Sequence, residues 1–224
     1  MQDIFERYGS LLREVDAWFA RNLQAHSARI TCHRGCSACC RGLFDITLLD
    51  ALYLRHGFDQ LASSVQHDVR EKSRARLEPI SARWPEFKAP WLLNAIPESE
   101  WDDIMPDDDE TPCDLLSVNG TCLVYDYRPM TCRLNGIPLM DSSGEELFDD
   151  WCTLNFTDCD PLLLEDLRHP FNDLFAQELL LFQEMTRRLL GETISELDTL
   201  IPAAVCIDRE TISAALSCDR HDIG

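Results

Sequence analysis

The sequence predicts a mainly α fold in which helices surround a loop-rich core organised by cysteines. Apolar residues recur at helical spacing over residues 3–29 and 171–190, as expected when one face of a helix is buried. Between these stretches, residues 30–44 and 113–159 are rich in Cys and Gly and lose that periodicity. The length of 224 residues is sufficient for a hydrophobic core.

The two long helices are each predicted from one apolar face. Over residues 3–29 this face consists of Ile4, Tyr8, Leu11, Val15, Trp18 and Asn22. Over residues 171–190 it consists of Phe171, Leu174, Phe175, Leu181, Phe182 and Met185, and Gly191 follows as a stop signal. Such stripes are typical of helices that pack against a core.

Two shorter helices are predicted between the long ones. Thr47 and Asp50 resemble a capping box, so we expect a helix over 46–56 that ends at Gly57, and a second helix over 59–77. The remaining predictions are an irregular connection over 78–112, an Asn-Gly turn at 119–120 with a short strand over 123–125, and a last short helix capped by Thr193 and Glu196 that ends before Pro202. We expect three parts, namely an N-terminal amphipathic helix over 1–29, a cysteine-rich core over 30–160 and a C-terminal helical segment over 161–224.

The charge of the chain excludes two classes of partner. Its 40 acidic and 20 basic residues give a formal net charge of −20. Because nucleic acids and anionic membranes recruit proteins through Lys and Arg, we expect neither as a partner. The apolar runs are also shorter than the roughly 20 residues that span a bilayer. A protein partner for the acidic surface is left open.

The chain contains 11 cysteines, a smaller share than the roughly 8–10% that marks disulfide scaffolds. Its first residues show no basic stretch followed by an apolar run, so we expect no secretory signal and a reducing, cytoplasmic location. In that setting clustered cysteines are more often metal ligands or redox groups than disulfides.

The strongest chemical signal is the motif Cys32-x3-Cys36-x2-Cys39-Cys40, with four cysteines in nine residues. A Cys-x2-Cys pair lets two thiolates converge on one metal across a tight turn, and both zinc and iron–sulfur clusters take thiolate ligands. Neighbouring residues cannot easily point at one ion. We therefore expect that either Cys39 or Cys40 binds a second centre, bridges two centres or stays uncoordinated.

A second group of cysteines follows, and its members are Cys113, Cys122, Cys132 and Cys152. Together the two groups supply eight candidate metal ligands. The alternative for any one of them is a small buried apolar residue, and we favour this alternative for Cys159, Cys206 and Cys218.

Basic residues accompany the cysteines despite the acidic composition; they are Arg29, Arg34, Arg41, Arg128 and Arg133. Nearby cations lower thiol pKa values and would balance an anionic thiolate centre, although ordinary surface arginines explain the pattern equally well. We do not count His33 as a ligand, because its neighbours already provide four thiols.

The segments CHRGCSACC over 32–40 and GTCLVYDYRPMTCR over 120–133, with the Trp151-Cys152 pair, resemble the YkgJ-type CxxCxxCC family. That family is described as zinc- or iron-chelating proteins with eight characteristic cysteines. The matching positions here are Cys32, Cys36, Cys39, Cys40, Cys113, Cys122, Cys132 and Cys152, with Tyr125, Arg128, Pro129 and Arg133. The first gap has three residues where the family label has two. The resemblance covers residues 30–155 and implies a metal ion but no reaction.

Three functions stay open at this point. The first is a metal-binding protein that holds zinc or iron, with an iron–sulfur cluster as one form of the site. The second is an iron–sulfur enzyme of radical S-adenosylmethionine or methyltransferase type, since Cys32, Cys36 and Cys39 have that motif's spacing and the family resembles flagellin lysine methylases. The predicted helices and Ala38 before the last cysteine argue against it. The third is a thiol redox protein or metal chaperone. The sequence identifies no catalytic residue for any of the three.

Overall fold

The computed structural model describes residues 1–207 together with residues 211 and 212. Its α-helices are α1 Gln2–Ala25, α2 Leu48–Phe58, α3 Ser63–Arg83, α4 Trp101–Ile104, α5 Met130–Leu134, α6 Phe171–Leu190 and α7 Ile201–Ala204. Its strands are β1 Asp45–Thr47, β2 Leu139–Met140, β3 Glu146–Phe148 and β4 Asp198–Leu200. β1 pairs with β4 and β2 with β3, both antiparallel. The mainly α prediction is confirmed.

The start of α2 is set by the predicted cap, but its end is not. Thr47 Oγ1 accepts a hydrogen bond from the Asp50 N–H at 3.1 Å, which satisfies a donor of the first turn. Gly57 lies inside the helix, which continues to Phe58. A Cβ at Gly57 would overlap the ring of Tyr127. Side-chain packing, not helix termination, therefore explains this glycine.

The predicted end of α3 was also wrong. The helix runs through Pro79 to Arg83 instead of stopping near Leu77. Ile80 is 8% exposed, so the buried stripe of the helix continues past the proline. At α6, by contrast, Gly191 follows the last residue with φ of +80°, as the prediction of a stop signal requires.

No strand forms over residues 123–125. The Leu123 N–H donates to the Leu115 C=O at 2.9 Å, and the chain then enters a 3-10 turn over Tyr125–Tyr127. Val124, the residue before this turn, is 3% exposed, so an apolar residue that suggested a strand is buried without one.

The helix predicted after Thr193 was wrong as well. Residues 198–200 form β4, in which Leu200 lies opposite Asp45 of β1. The helix begins only at Ile201, and Pro202 lies in its first turn, where the missing N–H of proline breaks no helical bond. Pairing with a strand distant in sequence overrode the local capping signal.

The chain divides into two compact units. The first unit comprises Met1–Cys39 and Met130–Leu181, and the second comprises Cys40–Pro129 and the described residues from Phe182 onward. None of the helices within the described residues is long and apolar enough to cross a membrane.

The core of the first unit forms around the apolar face of α1. Tyr8, Val15 and Trp18 are at most 1% exposed. The Trp18 indole donates to the Leu167 C=O at 2.8 Å, and its ring meets that of Phe171 edge-on at 5.0 Å. α1 ends at Ala25, short of the predicted residue 29, and the loop with the first cysteines follows.

The core of the second unit forms where α2 and α3 pack against α7. Arg55 and Arg70 reach the same end of that helix and both donate to the Val205 C=O at 3.1 Å. Arg55 also pairs with Asp59 at 2.7 Å. The β1–β4 ladder contacts α2. The segment that begins at Cys40 leads directly into β1.

Candidate metal centre

The first unit contains five of the eight predicted ligands. Cys32, Cys36 and Cys39 lie on the loop after α1, Cys132 lies in α5 and Cys152 lies on the loop after β3. In the first loop the Cys36 N–H donates to the His33 C=O at 2.9 Å, and Gly35 has φ of +94°. A tight turn with this backbone angle needs glycine.

Asn155 contacts the thiol of Cys32. Its Nδ2 donates to Cys32 Sγ at 3.3 Å and to the Gly136 C=O at 2.8 Å. Its Oδ1 accepts from the Thr31 N–H at 2.8 Å and from the Thr31 hydroxyl at 3.0 Å. Asn155 is 1% exposed, so its amide makes four hydrogen bonds inside the protein.

Gly136 faces the same thiol. It has φ of +112°, and a Cβ at this position would lie 3.2 Å from Cys32 Sγ. Its C=O also accepts from the Cys152 N–H at 3.4 Å. Glycine is therefore required here, both by the backbone angle and because Cys32 Sγ leaves no space for a side chain. The Gly136 carbonyl also joins the loop of Cys152 to the loop of Cys32 through Asn155.

Burial and neighbouring thiols both act on the pKa of Cys32. Burial raises the pKa of the Cys32 thiol, the hydrogen bond from Asn155 lowers it, and negative charge on Cys152, Cys36 and Cys39 raises it further. Hydrogen bonds through Asn155 and Gly136 join the loops of Cys32 and Cys152, and Cys36 and Cys39 follow Cys32 on its own loop. We call the five cysteines of this unit the first thiol group.

Cys132 is fixed through its neighbour in α5. The Arg133 side chain is 4% exposed and forms an ion pair with Asp16 of α1. A buried guanidinium requires a partner of opposite charge, so the Arg133–Asp16 pair holds α5 against α1. The arginine that follows the cysteine thus has a structural role.

Backbone pairing brings Cys40 and Cys113 together in the second unit. The Cys113 N–H donates to the Cys40 C=O at 2.9 Å, and the Gly42 N–H donates to the Thr111 C=O at 2.9 Å. Between these bonds Arg41 and Pro112 face each other in an antiparallel bridge. Two motif cysteines that are distant in sequence become neighbours in this way.

Cys122 reaches the same place through a hairpin. The Ser117 N–H donates to the Thr121 C=O at 2.9 Å, and Gly120 completes the turn with φ of +73°. Leu116 then forms a bridge with Cys122. The predicted Asn-Gly turn is confirmed, and it returns the chain toward Cys113.

The pKa of Cys113 reflects this arrangement. Burial raises it to about 11, a hydrogen bond from the Leu115 N–H lowers it, and negative charge on Cys122 raises it. The Leu116–Cys122 bridge and the bond from the Leu116 N–H to the Cys113 C=O bring Cys122 toward Cys113, and the backbone bond from Cys113 adds Cys40. We call Cys40, Cys113 and Cys122 the second thiol group.

Aromatic contacts hold the segment after Cys122. The Arg128 guanidinium lies 3.8 Å from the centre of the Tyr125 ring, and its Nε donates to the Tyr125 C=O at 3.1 Å. Tyr127 covers Gly57, and its hydroxyl accepts from Gln60 at 3.0 Å. The family resemblance identified Tyr125 and Arg128 but missed Tyr127.

Other candidate residues lie apart from these groups. His33 is exposed, and its Nδ1 lies 3.1 Å from the Arg34 C=O. Cys159 lies near Arg29, and burial raises the pKa of Cys206. Cys218 lies outside the described residues.

Several arginines near the cysteines form ion pairs. The pairs are Arg29 with Asp158 in the first unit, and Arg41 with Glu110 and Arg76 with Asp109 in the second. The acidic segment over 98–114 is thereby tied to α3 and to the loop of Cys40. Ion pairing with acidic neighbours therefore accounts for Arg29 and Arg41, as expected of ordinary surface arginines.

The donor set suits a thiophilic metal. None of the ten described cysteines forms a disulfide, and thiolates are ligands that zinc and iron prefer. Within the part of the chain that the structure describes, no three His, Cys, Asp or Glu side chains are already spaced as ligands of one ion. The residues fit zinc or iron by donor type, and hydrogen bonds join the loops that carry Cys32 and Cys152 and those that carry Cys40 and Cys113.

Comparison with known proteins supports the resemblance seen in the sequence. No curated protein and no solved structure matches the chain. The CxxCxxCC family model, described as a "putative zinc- or iron-chelating domain", matches residues 31–153, which is more than half of the chain. This range includes all eight cysteines of the two thiol groups. The chain therefore belongs to the CxxCxxCC family.

Proposed function

We propose that this protein binds zinc or iron through eight cysteines arranged in two thiol groups. The first group consists of Cys32, Cys36, Cys39, Cys132 and Cys152, and the second of Cys40, Cys113 and Cys122. The observation that carries the proposal is the set of hydrogen bonds through Asn155 and Gly136 that joins the loop of Cys32 to the loop of Cys152. The description of the family supports metal binding in general.

The two groups differ in what they can hold. Structural zinc takes four N or S ligands, and a four-iron cluster takes four thiolates. The first group has enough thiols for either, whereas the second has three and would need a further ligand of another kind. A bound metal would cross-link these loops and so contribute free energy of folding.

The enzyme alternative has less support. A radical enzyme of the type considered uses a strand-rich barrel, whereas the strands among the described residues pair only as two-stranded sheets. We therefore propose a structural or regulatory metal-binding role. The location that we propose is the cytoplasm, where thiolate ligands stay reduced.

Metal analysis combined with an absorption spectrum tests the proposal on the whole chain, purified without oxygen. Zinc without visible absorbance would support thiolate sites for zinc. Iron with sulfide and a broad visible band would support a cluster, and binding of S-adenosylmethionine would then be measured. A folded chain with reactive thiols and neither metal would contradict the proposal.

A further inference from the structure

We propose that Asn155 is a positioning residue for Cys32 and that it sets the metal affinity of the first thiol group. The inference rests on the proposed function and extends it to a residue that is not itself a ligand. Its basis is the set of hydrogen bonds that the buried Asn155 amide makes around Cys32 Sγ.

The amide has one orientation that satisfies its surroundings. Thr31 presents two donors to Oδ1, and Gly136 presents a carbonyl acceptor to Nδ2. A flip of the amide would set a carbonyl oxygen against that carbonyl, and an NH2 group against the Thr31 N–H. The group that faces Cys32 Sγ is therefore an N–H donor.

The backbone around Asn155 is also held in place. The Asn155 N–H donates to the Cys152 C=O at 2.8 Å, and the next residue, Phe156, donates to the Arg29 C=O at 2.8 Å. Phe156 is 3% exposed and has φ of +50°, an unfavourable angle for an aromatic residue. Such an angle persists where the surroundings impose it, so the chain beside Asn155 is held by the burial of Phe156 and by its bond to Arg29.

The chemical consequence concerns a bound thiolate. An N–H that points at the sulfur of a ligand fixes its direction and stabilises its negative charge. Asn155 also joins the loops of Cys32 and Cys152, through its side chain and its backbone. Loss of such an outer partner typically weakens metal binding by roughly 10- to 100-fold.

The test uses Asn155→Asp, which keeps the size and an acceptor toward Thr31 but removes the donor to sulfur. Affinities of the metal-free whole chain for Zn²⁺ and Co²⁺ would be measured by competition with a chromogenic chelator under reducing conditions. We expect a loss of roughly 10- to 100-fold and altered sulfur-to-cobalt charge-transfer bands. The matched control is Asn172→Asp, an exposed site whose Nδ2 contacts Glu145 at 3.1 Å, and it should leave affinity unchanged.

A double-mutant cycle separates positioning from general support of the fold. In a Cys32→Ser background, Asn155→Asp should have no further effect if Asn155 acts through Cys32. Thr31→Val, which removes one donor to Oδ1, should weaken binding by a few-fold and lose its effect in the same background. If Asn155→Asp does not fold, Thr31→Val tests the proposal in its place.

The outcomes distinguish this inference from the proposed function. If the unmodified chain bound neither ion, the proposed function would fail and this inference with it. If Asn155→Asp and Thr31→Val bound metal as tightly as the unmodified chain, Asn155 would not be a positioning residue. The same would follow if each variant lost as much affinity in the Cys32→Ser background as in the unmodified chain. Coupled loss through Cys32 supports the proposal.

Discussion

The two thiol groups are built by different means. In the first unit, one buried side chain, Asn155, contacts Cys32 and bonds to the loops around it. In the second unit, main-chain bonds set Cys40 beside Cys113, and a hairpin returns Cys122 to them. A group built by a side chain depends on the identity of that residue, whereas one built by backbone pairing depends mainly on the turns that permit it.

The boundary between the units separates Cys39 from Cys40. Neighbouring residues cannot easily direct their thiols at one ion, which is why the sequence predicted separate roles for them. The separate roles of Cys39 and Cys40 stay a prediction. Variants that affect one unit at a time can therefore test whether the two groups act independently.

Replacing ligands in one group at a time should have the largest effect. Cys36→Ser or Cys39→Ser should strongly lower the metal affinity and metal content of the first group, and Cys113→Ser those of the second, each with a lower melting temperature. Binding of structural zinc contributes on the order of 10 kcal/mol, so these losses should be large. Metal content per chain and thermal unfolding measure both effects.

Cys206→Ser is the control for the thiol variants, because Cys206 belongs to neither group, and it should change neither quantity. Full metal content and an unchanged melting temperature in Cys36→Ser would show that the ligand assignment is wrong. Loss of both metals in Cys113→Ser would show that the two groups are not independent.

Glycine substitutions should separate stability from affinity. Gly57→Ala forces a Cβ into the Tyr127 ring and should cost about 1–3 kcal/mol in the free energy of unfolding, without changing the first group's affinity. Gly136→Ala should cost about 1 kcal/mol or more and also weaken metal binding, because its Cβ meets Cys32 Sγ. Urea unfolding and zinc competition measure the two effects.

Gly191→Ala isolates the cost of a positive φ, because nothing lies within 4 Å of the added Cβ. It should destabilise the chain by about 1 kcal/mol and leave zinc affinity unchanged. If Gly136→Ala behaved in the same way, its contact with Cys32 would have no consequence for binding.

Two aspartates, the half-buried Asp198 and the buried Asp141, should give opposite pH effects, and these are the smallest that we predict. Burial and the charges of Glu196 and Asp45 raise the pKa of Asp198, in the second unit, from 3.8 to about 6. Its contribution to stability is therefore present below about pH 4 and lost as pH rises through about 6. Asp198→Asn should remove this loss, on the order of 1 kcal/mol after solvent screening, in unfolding measured across that range.

Asp141, in the first unit, provides the contrast. Hydrogen bonds from the backbone N–H groups of Asn172 and Ser143 lower the pKa of Asp141 to about 2. Its contribution is present above its ordinary value of 3.8 and is lost as pH falls through about 2. Asp141→Asn should therefore destabilise the chain at neutral pH, and the same direction of change in both variants would contradict the assignment.

The long helices could be predicted from the sequence because their apolar spacing is a local property. The stripe of α1 and the Thr47 cap needed no knowledge of distant partners. The family could also be predicted, because two cysteine motifs kept their order and context. These features account for the mainly α class and the eight candidate ligands.

The features that remained hidden depend on tertiary contacts. Asn155 lies in a segment without periodicity, so nothing local distinguishes it from a loop asparagine. Gly57 looked like a helix end because the Tyr127 ring that covers it lies seventy residues away. The strand β4 replaced a predicted helix because its partner β1 precedes it by about 150 residues.

The bridge between Arg41 and Pro112 has a consequence for how this chain can vary. Because its two ends pair with each other, the segment over residues 41–112 is a closed loop between Cys40 and Cys113 of the second thiol group. The entropy of closing such a loop changes by only about 0.6 kcal/mol when its length doubles. Insertions at the surface turns within residues 41–112 should therefore cost little closure entropy while Cys40 and Cys113 keep their places.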